Sequence, residues 1–340
     1  MHKVGYIEGV GEDSHRSNWS GDGPRPLAWA AWYPAADSAQ DKMKYIGPPG
    51  FPLFVMGSVA AGVPLENSAG QRPVVLLSHG TGGSAQGMGW LGCRLAAEGF
   101  IVLAANHHGN TAVEAYLPEG FLCWWERALD LTALLEIHLK GGLFAGKIDI
   151  SRVYAAGFSL GGYTVLALAG AITDVKLFDE WANGLQGQRG PREFPDIADH
   201  IPDLLATSAV FRASQDRQGH RYLDPRVKAV FTFAPAPPVR NFTVKSLASI
   251  DIPVGIMAGA SDAEAPCEDC AIWLANQIPN CNLMLLEENA VHYVFLCEAT
   301  ENGRVELSDI CIDAKGVSRA AIHQKAADAA IKLFRLTEKA

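Results

Sequence analysis

Residues 155–163 read AAGFSLGGY, a small polar residue between glycines where an apolar run ends. The stretch 153–156 ahead of it reads as a strand, and 159–171 after it reads as a helix. Glycines at 157 and 161 let a strand turn abruptly into a helix without a side-chain clash. Strand, G-x-S-x-G turn and helix in that order push Ser159 into a strained, exposed position above a sheet, as a nucleophile requires. The plainer alternative is that Ser159 caps the following helix. The nucleophile reading obliges the rest of the chain to supply an oxyanion loop, an acid and a base, so the neighbouring elements decide between the two.

Working outward, 73–78 (PVVLLS) and 100–105 (FIVLAA) are compact apolar runs bounded by turn residues, as strands buried on both faces are. Helical patterns occupy 86–99 and 121–140. Further strands are expected at 27–33, 227–233, 253–257 and 283–286, with helices near 267–277 and 319–336. Strand and helix alternate, which predicts an α/β fold: a mostly parallel central sheet flanked by helices. The Gly-, Pro- and Ser-rich stretch 36–71 is expected to be an irregular connection. The rhythm breaks at 173–223, a polar segment without strand character, read as an inserted lid or cap on a single domain spanning 1–340.

The chain has 340 residues, 49% of them hydrophobic and 19% charged, enough for a large buried core. With 28 Lys and Arg against 37 Asp and Glu, the net charge is −9, and no dense basic run appears. Nucleic acid and anionic membranes are therefore not expected as partners. No window approaches the roughly 20 apolar residues of a membrane span. The start shows no secretory-type apolar stretch, so the expected location is the cytoplasm. Whether the chain forms a homo-oligomer stays open.

Acyl transfer needs a second N–H donor on the loop after an earlier strand. Ser78-His-Gly-Thr-Gly-Gly83 ends such a strand, making the main-chain N–H groups of Thr81 and Leu160 the expected oxyanion donors. His79 precedes the nucleophile and reads as a structural histidine on that loop. The base should follow the last strand, which selects His292 in the stretch 285–293 (LLEENAVHY). For the acid, 253–262 (PVGIMAGASD) gives a strand, a glycine turn and Asp262, able to fix the imidazole tautomer. Asp224 lies before its strand, and Glu287 and Glu288 are second choices. His107, in Asn-His-His-Gly-Asn, is a pocket-lining candidate, with ordinary loop packing as the competing reading. Trp124, Trp125, Tyr163, Trp181, Phe211 and Tyr293 are candidates for an apolar acyl or aryl pocket, although residues of these types are more often plain core.

These motifs resemble the α/β-hydrolases, and most of all the branch of predicted dienelactone hydrolases and platelet-activating-factor acetylhydrolase-like esterases. The resemblance rests on Val4-Gly-Tyr, Trp32-Tyr-Pro, Ser78-His-Gly-Thr-Gly-Gly, Asn106-His-His-Gly-Asn-Thr and Gly157-Phe-Ser-Leu-Gly-Gly. It continues in Asp224-Pro-Arg-Val, Gly259-Ala-Ser-Asp with Pro266, and Cys311-Ile-Asp. It implies Ser159 as nucleophile, His292 as base, and Thr81 and Leu160 as oxyanion donors. Platelet-activating-factor acetylhydrolases take the acid after the strand at 227–233, where this chain has Ala234-Pro-Ala-Pro-Pro. Dienelactone hydrolases take it one strand later, which favours Asp262. Their usual nucleophile is Cys, so Ser159 points toward ordinary esters.

The expected function is a serine carboxylic ester hydrolase of a small or medium-sized substrate, working through an acyl-enzyme with no metal or organic cofactor. An amidase or lactonase would use the same site. A catalytically inactive binding protein on this fold is the rival of another class, opposed by the intact acid, base and nucleophile. Of seven cysteines, Cys267 and Cys270 form a C-x-x-C without a second pair at zinc spacing, so no metal is expected. Cys297 and Cys311 bracket a short segment after His292, and a disulfide between them is a further hypothesis.

Overall fold

The structure is a computed structural model and describes residues 1–67, 70–184, 190–287 and 289–338. Strands β1 (Lys3–Ser17) and β2 (Pro24–Ala35) form a long antiparallel hairpin, followed by β3 (Lys42–Ile46) and β4 (Phe54–Ala61). The alternating part opens with β5 (Arg72–Ser78), α1 (Gly89–Ala97) and β6 (Ile101–Asn106). Helices α2 (Pro118–Leu122) and α3 (Glu126–Lys140) lead to β7 (Ile148–Phe158) and α4 (Leu160–Leu168). Three more helices follow, α5 (Val175–Asn183), α6 (Ile201–Thr207) and α7 (Ala209–Gln215). The chain continues through β8 (Val227–Phe233), α8 (Val244–Leu247), β9 (Val254–Gly259), α9 (Ala271–Gln277) and β10 (Cys281–Leu286). It ends with β11 (Glu298–Ala299), α10 (Glu301–Glu306), α11 (Ser308–Cys311) and α12 (Arg319–Leu336).

One sheet runs β10-β9-β8-β7-β5-β6-β2-β1-β4-β11, with β3 paired to β4. The strands from β5 to β10 are parallel to their neighbours, and β2 closes onto β6 antiparallel. Strand β5 shows why apolar runs lacking alternation become central strands. Val74 and Leu76 enter the core shared with α3, α4 and α9, while Val75 and Leu77 enter the core shared with α1 and α12. Each such side chain taken out of water contributes about 1.5–3 kcal/mol, so both faces must be apolar at once.

The segment 36–71 is not the irregular connection its composition suggests, because it contains β3 and β4. Small residues and a kink at Gly57, where φ is +139°, disguise β4 as loop. The expected helix at 121–140 is broken between α2 and α3, where Cys123 and Trp125 are buried. Segment 173–223 carries α5, α6 and α7 and no named strand among its described residues; 185–189 lie outside them.

The fold places one end of every parallel strand at a common edge. There β5 gives way to His79, β6 to His107, β7 to Ser159, β9 to the turn reaching Asp262, and β10 to the loop holding His292. In open α/β sheets, sites are built at this carboxyl edge.

Candidate active site

Ser159 sits between the last residue of β7 and the first of α4 with φ 54° and ψ −118°. A non-glycine residue held there stores about 1–3 kcal/mol and persists only when its surroundings over-determine it. The surroundings do so here. Ser159 N–H donates to the Phe233 carbonyl at 2.9 Å, and the Ser159 carbonyl accepts from Gly162 N–H at 2.8 Å and Ala236 N–H at 3.1 Å. Its side chain makes no cap bond to α4, so the capping alternative is not what the structure contains. The flanking glycines are required by contact: a Cβ on Gly157 would stand 2.1 Å from the Gly161 carbonyl oxygen, and one on Gly161 would stand 2.1 Å from that of Ser78.

Ser159 Oγ lies 2.9 Å from His292 Nε2, and His292 Nδ1 lies 2.7 Å from Asp262 Oδ2. A carboxylate only accepts, so Nδ1 carries the proton and Nε2 is left to accept from the serine hydroxyl. Asp262 is itself fixed, since its other oxygen accepts from the N–H groups of Glu264 at 2.9 Å and Ala265 at 2.8 Å. All three side chains are buried, and the imidazole packs against Phe158 with ring centroids 4.9 Å apart. The structure thus brings Ser159, Asp262 and His292 into one hydrogen-bonded chain. Asp224 is elsewhere, paired with Arg226 at 2.7 Å ahead of β8. Glu287 makes no bond to His292, and Glu288 lies outside the described residues.

Thr81 and Leu160 line the same cavity as Ser159 and His292. Among the described residues, neither N–H is taken by a backbone acceptor in a turn or loop, and Leu160 begins its helix, where N–H groups have no intrahelical partner. The loop carrying Thr81 is braced by the turn after β6: Gly82 N–H donates to Asn110 Oδ1 at 2.7 Å and Ala85 N–H to Asn106 Oδ1 at 2.8 Å. His79 Nε2 accepts from His107 N–H at 3.2 Å while its Nδ1 meets the Gly80 carbonyl at 2.6 Å, the pattern of a neutral structural histidine. Burial, reinforced by Arg127, pushes its pKa well below the ordinary value.

His107 does not line the pocket. It is wholly buried, with Nε2 2.9 Å from Ser78 Oγ and Nδ1 3.0 Å from Asp130 Oδ2. Burial pushes it down to about 3, so it is a neutral strut beneath the loop that carries Thr81. Asp130, which burial pushes up, is held well below the usual carboxylate range by Arg25 and Arg16. The motif Asn106-His-His-Gly-Asn is thus a brace, a role that the asparagines signal and the histidines obscure.

The cavity has a volume of about 1630 Å³. Trp124, Trp181, Phe211 and Tyr293 line it, together with Trp125 and Phe178. Tyr163 does not, being stacked on Phe242 with centroids 4.5 Å apart and its hydroxyl bonded to Thr173. The apolar wall joins α2 and α3 to the helices of 173–223. Trp125 Nε1 donates to the Ser214 carbonyl at 3.1 Å, and Ser214 Oγ donates to Glu126 at 2.7 Å. These bonds anchor α7 on the start of α3.

All seven cysteines are free, so the proposed Cys297–Cys311 bridge is absent; the Cys297 thiol instead points at the Gly87 carbonyl, 3.3 Å away. Cys267 donates to the Gly259 carbonyl at 2.7 Å. Among the described residues, no group of three or more His, Cys, Asp or Glu is arranged to hold a metal ion. No helix among them is long and apolar enough to cross a membrane.

The family model of platelet-activating factor acetylhydrolase, isoform II, matches residues 55–120. Cutinase est2 and cutinase est1 of Thermobifida alba are 33% and 32% identical over 115 residues, 33% of this chain. The match spans about a third of those relatives' own length, 34% and 35%. A ferulic acid esterase from Streptomyces cinnamoneus superimposes with a TM-score of 0.64 at 18% identity, covering 98% of this chain and 89% of that one. At that identity the likeness speaks for the fold. The chain has the α/β-hydrolase fold, and its matched segments resemble platelet-activating factor acetylhydrolase, isoform II, and the two cutinases.

Proposed function

We propose that the protein is a serine-dependent carboxylic ester hydrolase acting through an acyl-enzyme. The observation that carries this reading is the chain Ser159–His292–Asp262, with 2.9 and 2.7 Å contacts, beside unspent N–H groups in an apolar cavity. In the first half-reaction His292 takes the Ser159 proton as Oγ attacks the ester carbonyl, and Asp262 stabilises the imidazolium that forms. The N–H groups of Thr81 and Leu160 hold the oxyanion, helped by the N-terminal end of α4. Collapse of the tetrahedral intermediate returns the His292 proton to the departing alkoxide. Water, deprotonated by the same histidine, then releases the acid and regenerates Ser159. The names of the cutinases and the ferulic acid esterase support ester cleavage over other acyl chemistry.

The whole chain, 1–340, acts in this reading as one hydrolase domain, with 173–223 as its cap. Residues from α5 to α7 contribute Val175, Phe178, Trp181, Ile201 and Phe211 to the cavity wall, so the cap shapes the pocket for an apolar acyl or aryl group. A volume of about 1630 Å³ favours the upper end of the expected substrate range, because most small-ligand sites occupy roughly 300–1,000 Å³. The test is a panel of p-nitrophenyl esters of increasing acyl length, run on wild type and Ser159→Ala. Wild type should turn over several members and take up a fluorophosphonate probe at Ser159, and Ser159→Ala should do neither. Full activity in Ser159→Ala, or labelling at another residue, overturns the reading.

A further inference from the structure

Arg127, near the start of α3, is a fully buried cation that the acyl-transfer steps do not use. Its neighbour Asp130 spends both oxygens elsewhere, on Arg16 at 2.6 Å, Arg25 at 2.7 Å and His107 at 3.0 Å. Among the described residues, Arg127 makes no ion pair with any carboxylate, and its Nη1 has no hydrogen-bond partner. Burying a guanidinium without a paired carboxylate opposes folding, whereas a methionine of similar length would fill the space without that cost. The donors it does use explain its presence.

Arg127 Nη2 donates to the His79 carbonyl and, at 3.3 Å, to Ser78 Oγ. Its Nε donates at 3.2 Å to Thr164 Oγ1, and that hydroxyl donates at 3.1 Å to the Leu160 carbonyl. One planar group therefore touches the loop that ends in Thr81 and, through Thr164, the residue that supplies the Leu160 N–H. These are the two separate elements from which the oxyanion hole is assembled. The same elements are pressed together beside it, since a Cβ on Gly161 would overlap the Ser78 carbonyl.

Resting on the ester-hydrolase reading, we propose that Arg127 is a positioning residue: it ties the two halves of the oxyanion hole at a fixed separation and adds a buried positive charge beneath them. The interaction matters most when negative charge develops on the carbonyl oxygen, so its loss lowers kcat and leaves ground-state binding nearly intact.

The test compares wild type, Arg127→Met, Arg127→Lys and Thr164→Val on one p-nitrophenyl ester, with rates expressed per site titrated by a fluorophosphonate. A trifluoromethyl ketone, which forms a tetrahedral adduct on the serine, reads the oxyanion hole directly. Arg127→Met should lower kcat about 10- to 100-fold with KM within about twofold, as loss or misplacement of an oxyanion donor does. The ketone's inhibition constant should rise in parallel. Arg127→Lys should recover part of the loss, and Thr164→Val should cost about three- to tenfold. A kcat per titrated site within twofold of wild type in Arg127→Met, with ketone affinity unchanged, overturns the proposal even if the yield of folded protein falls. Should Arg127→Met not fold, the same two readouts on Arg127→Lys and Thr164→Val decide, and no change in both overturns it. An inactive, unlabelled wild type overturns the hydrolase reading and this proposal with it, so the two failures are distinct.

Discussion

Replacing Asp262 by asparagine should inactivate the protein while leaving its fold intact, for a reason visible in the hydrogen bonds. One carboxylate oxygen accepts two N–H groups, from Glu264 and Ala265, and the other accepts from His292 Nδ1. An asparagine has one accepting oxygen and must choose. If its oxygen stays with the two N–H groups, its NH2 faces Nδ1, which then has to accept. The ring proton moves to Nε2, where it blocks removal of the Ser159 proton. Flipping the amide restores the tautomer but sets its NH2 against two N–H groups, that of Ala265 buried and that of Glu264 part-buried. Leaving the buried Ala265 N–H unsatisfied costs about 1–3 kcal/mol, so the flip costs at least about that much. At 1.4 kcal/mol per decade, that group alone reduces the productive tautomer roughly 5- to 150-fold. Losing the charge that stabilises the imidazolium adds to this, so kcat should fall by about 10³–10⁴. The assay is p-nitrophenyl ester turnover per folded molecule, with circular dichroism and Tm as controls. The Tm should stay within a few degrees because all three hydrogen bonds find partners. More than a tenth of wild-type kcat in Asp262→Asn, or an equal loss in Glu287→Gln, would refute the assignment of the acid.

Gly161→Ala should lose activity and stability together, because its Cβ would stand 2.1 Å from the Ser78 carbonyl oxygen and 3.0 Å from that of His79. Overpacking of that kind costs about 1–3 kcal/mol, and a wild-type Tm with unchanged kcat would contradict the contact. Stability should also fall in acid. Burial holds His107 and His323 at about 3 and His138 at about 4, against an ordinary value of 6.5. The unfolded chain therefore binds more protons below pH 6.5; the stability is fully present above that pH and is lost as pH falls toward the folded values. Each such histidine contributes a slope of about 1.4 kcal/mol per pH unit, and a Tm unchanged between pH 7 and 5 would count against their neutral burial. Titration of the unfolded protein with a thiol reagent should find seven thiols without reductant. Five would mean that one bridge exists.

How much of this was legible depends on whether a signal was local. Ser159, Asp262 and His292 each follow a short apolar run and a turn, so their shared edge follows from the alternation of strand and helix. The strands β1 and β4 gave no such signal. Six of the 15 residues of β1 are exposed, Glu8 and Glu12 among them, and β4 is built of small residues around a kinked glycine. Pocket membership was unreadable for a different reason. Helix α4 is buried on all sides, so its sequence has no polar face to say that Tyr163 points at Phe242 and away from the cavity. Trp124 and Phe211 reach the same wall from segments far apart in the chain. Arg127 gave no signal either, since within a helical pattern an arginine reads as solvent-facing, and only its burial without an ion-paired carboxylate among the described residues marks it out.

The position of Asp262 shows how packing divides work between neighbouring strands. Strand β8 runs beside β7, and the chain leaving it is occupied with Ser159: the Phe233 carbonyl accepts from Ser159 N–H, and Ala236 N–H donates to the Ser159 carbonyl. Ala234 takes φ 42° to make that return, and a Cβ on Gly162 would stand 2.1 Å from Thr232 Oγ1 and 3.1 Å from Pro235. A carboxylate in this turn would have to be desolvated against the elbow it braces. Ala236, Pro237 and Pro238 instead form part of the cavity wall. Strand β9 stands one place further out, and its turn has room for a side chain that reaches back to His292 while two N–H groups hold it. The strained Ser159 and Asp262 are thus supported by different strands, so in the proposed reaction a change at Asp262 should lower turnover without disturbing the geometry of Ser159.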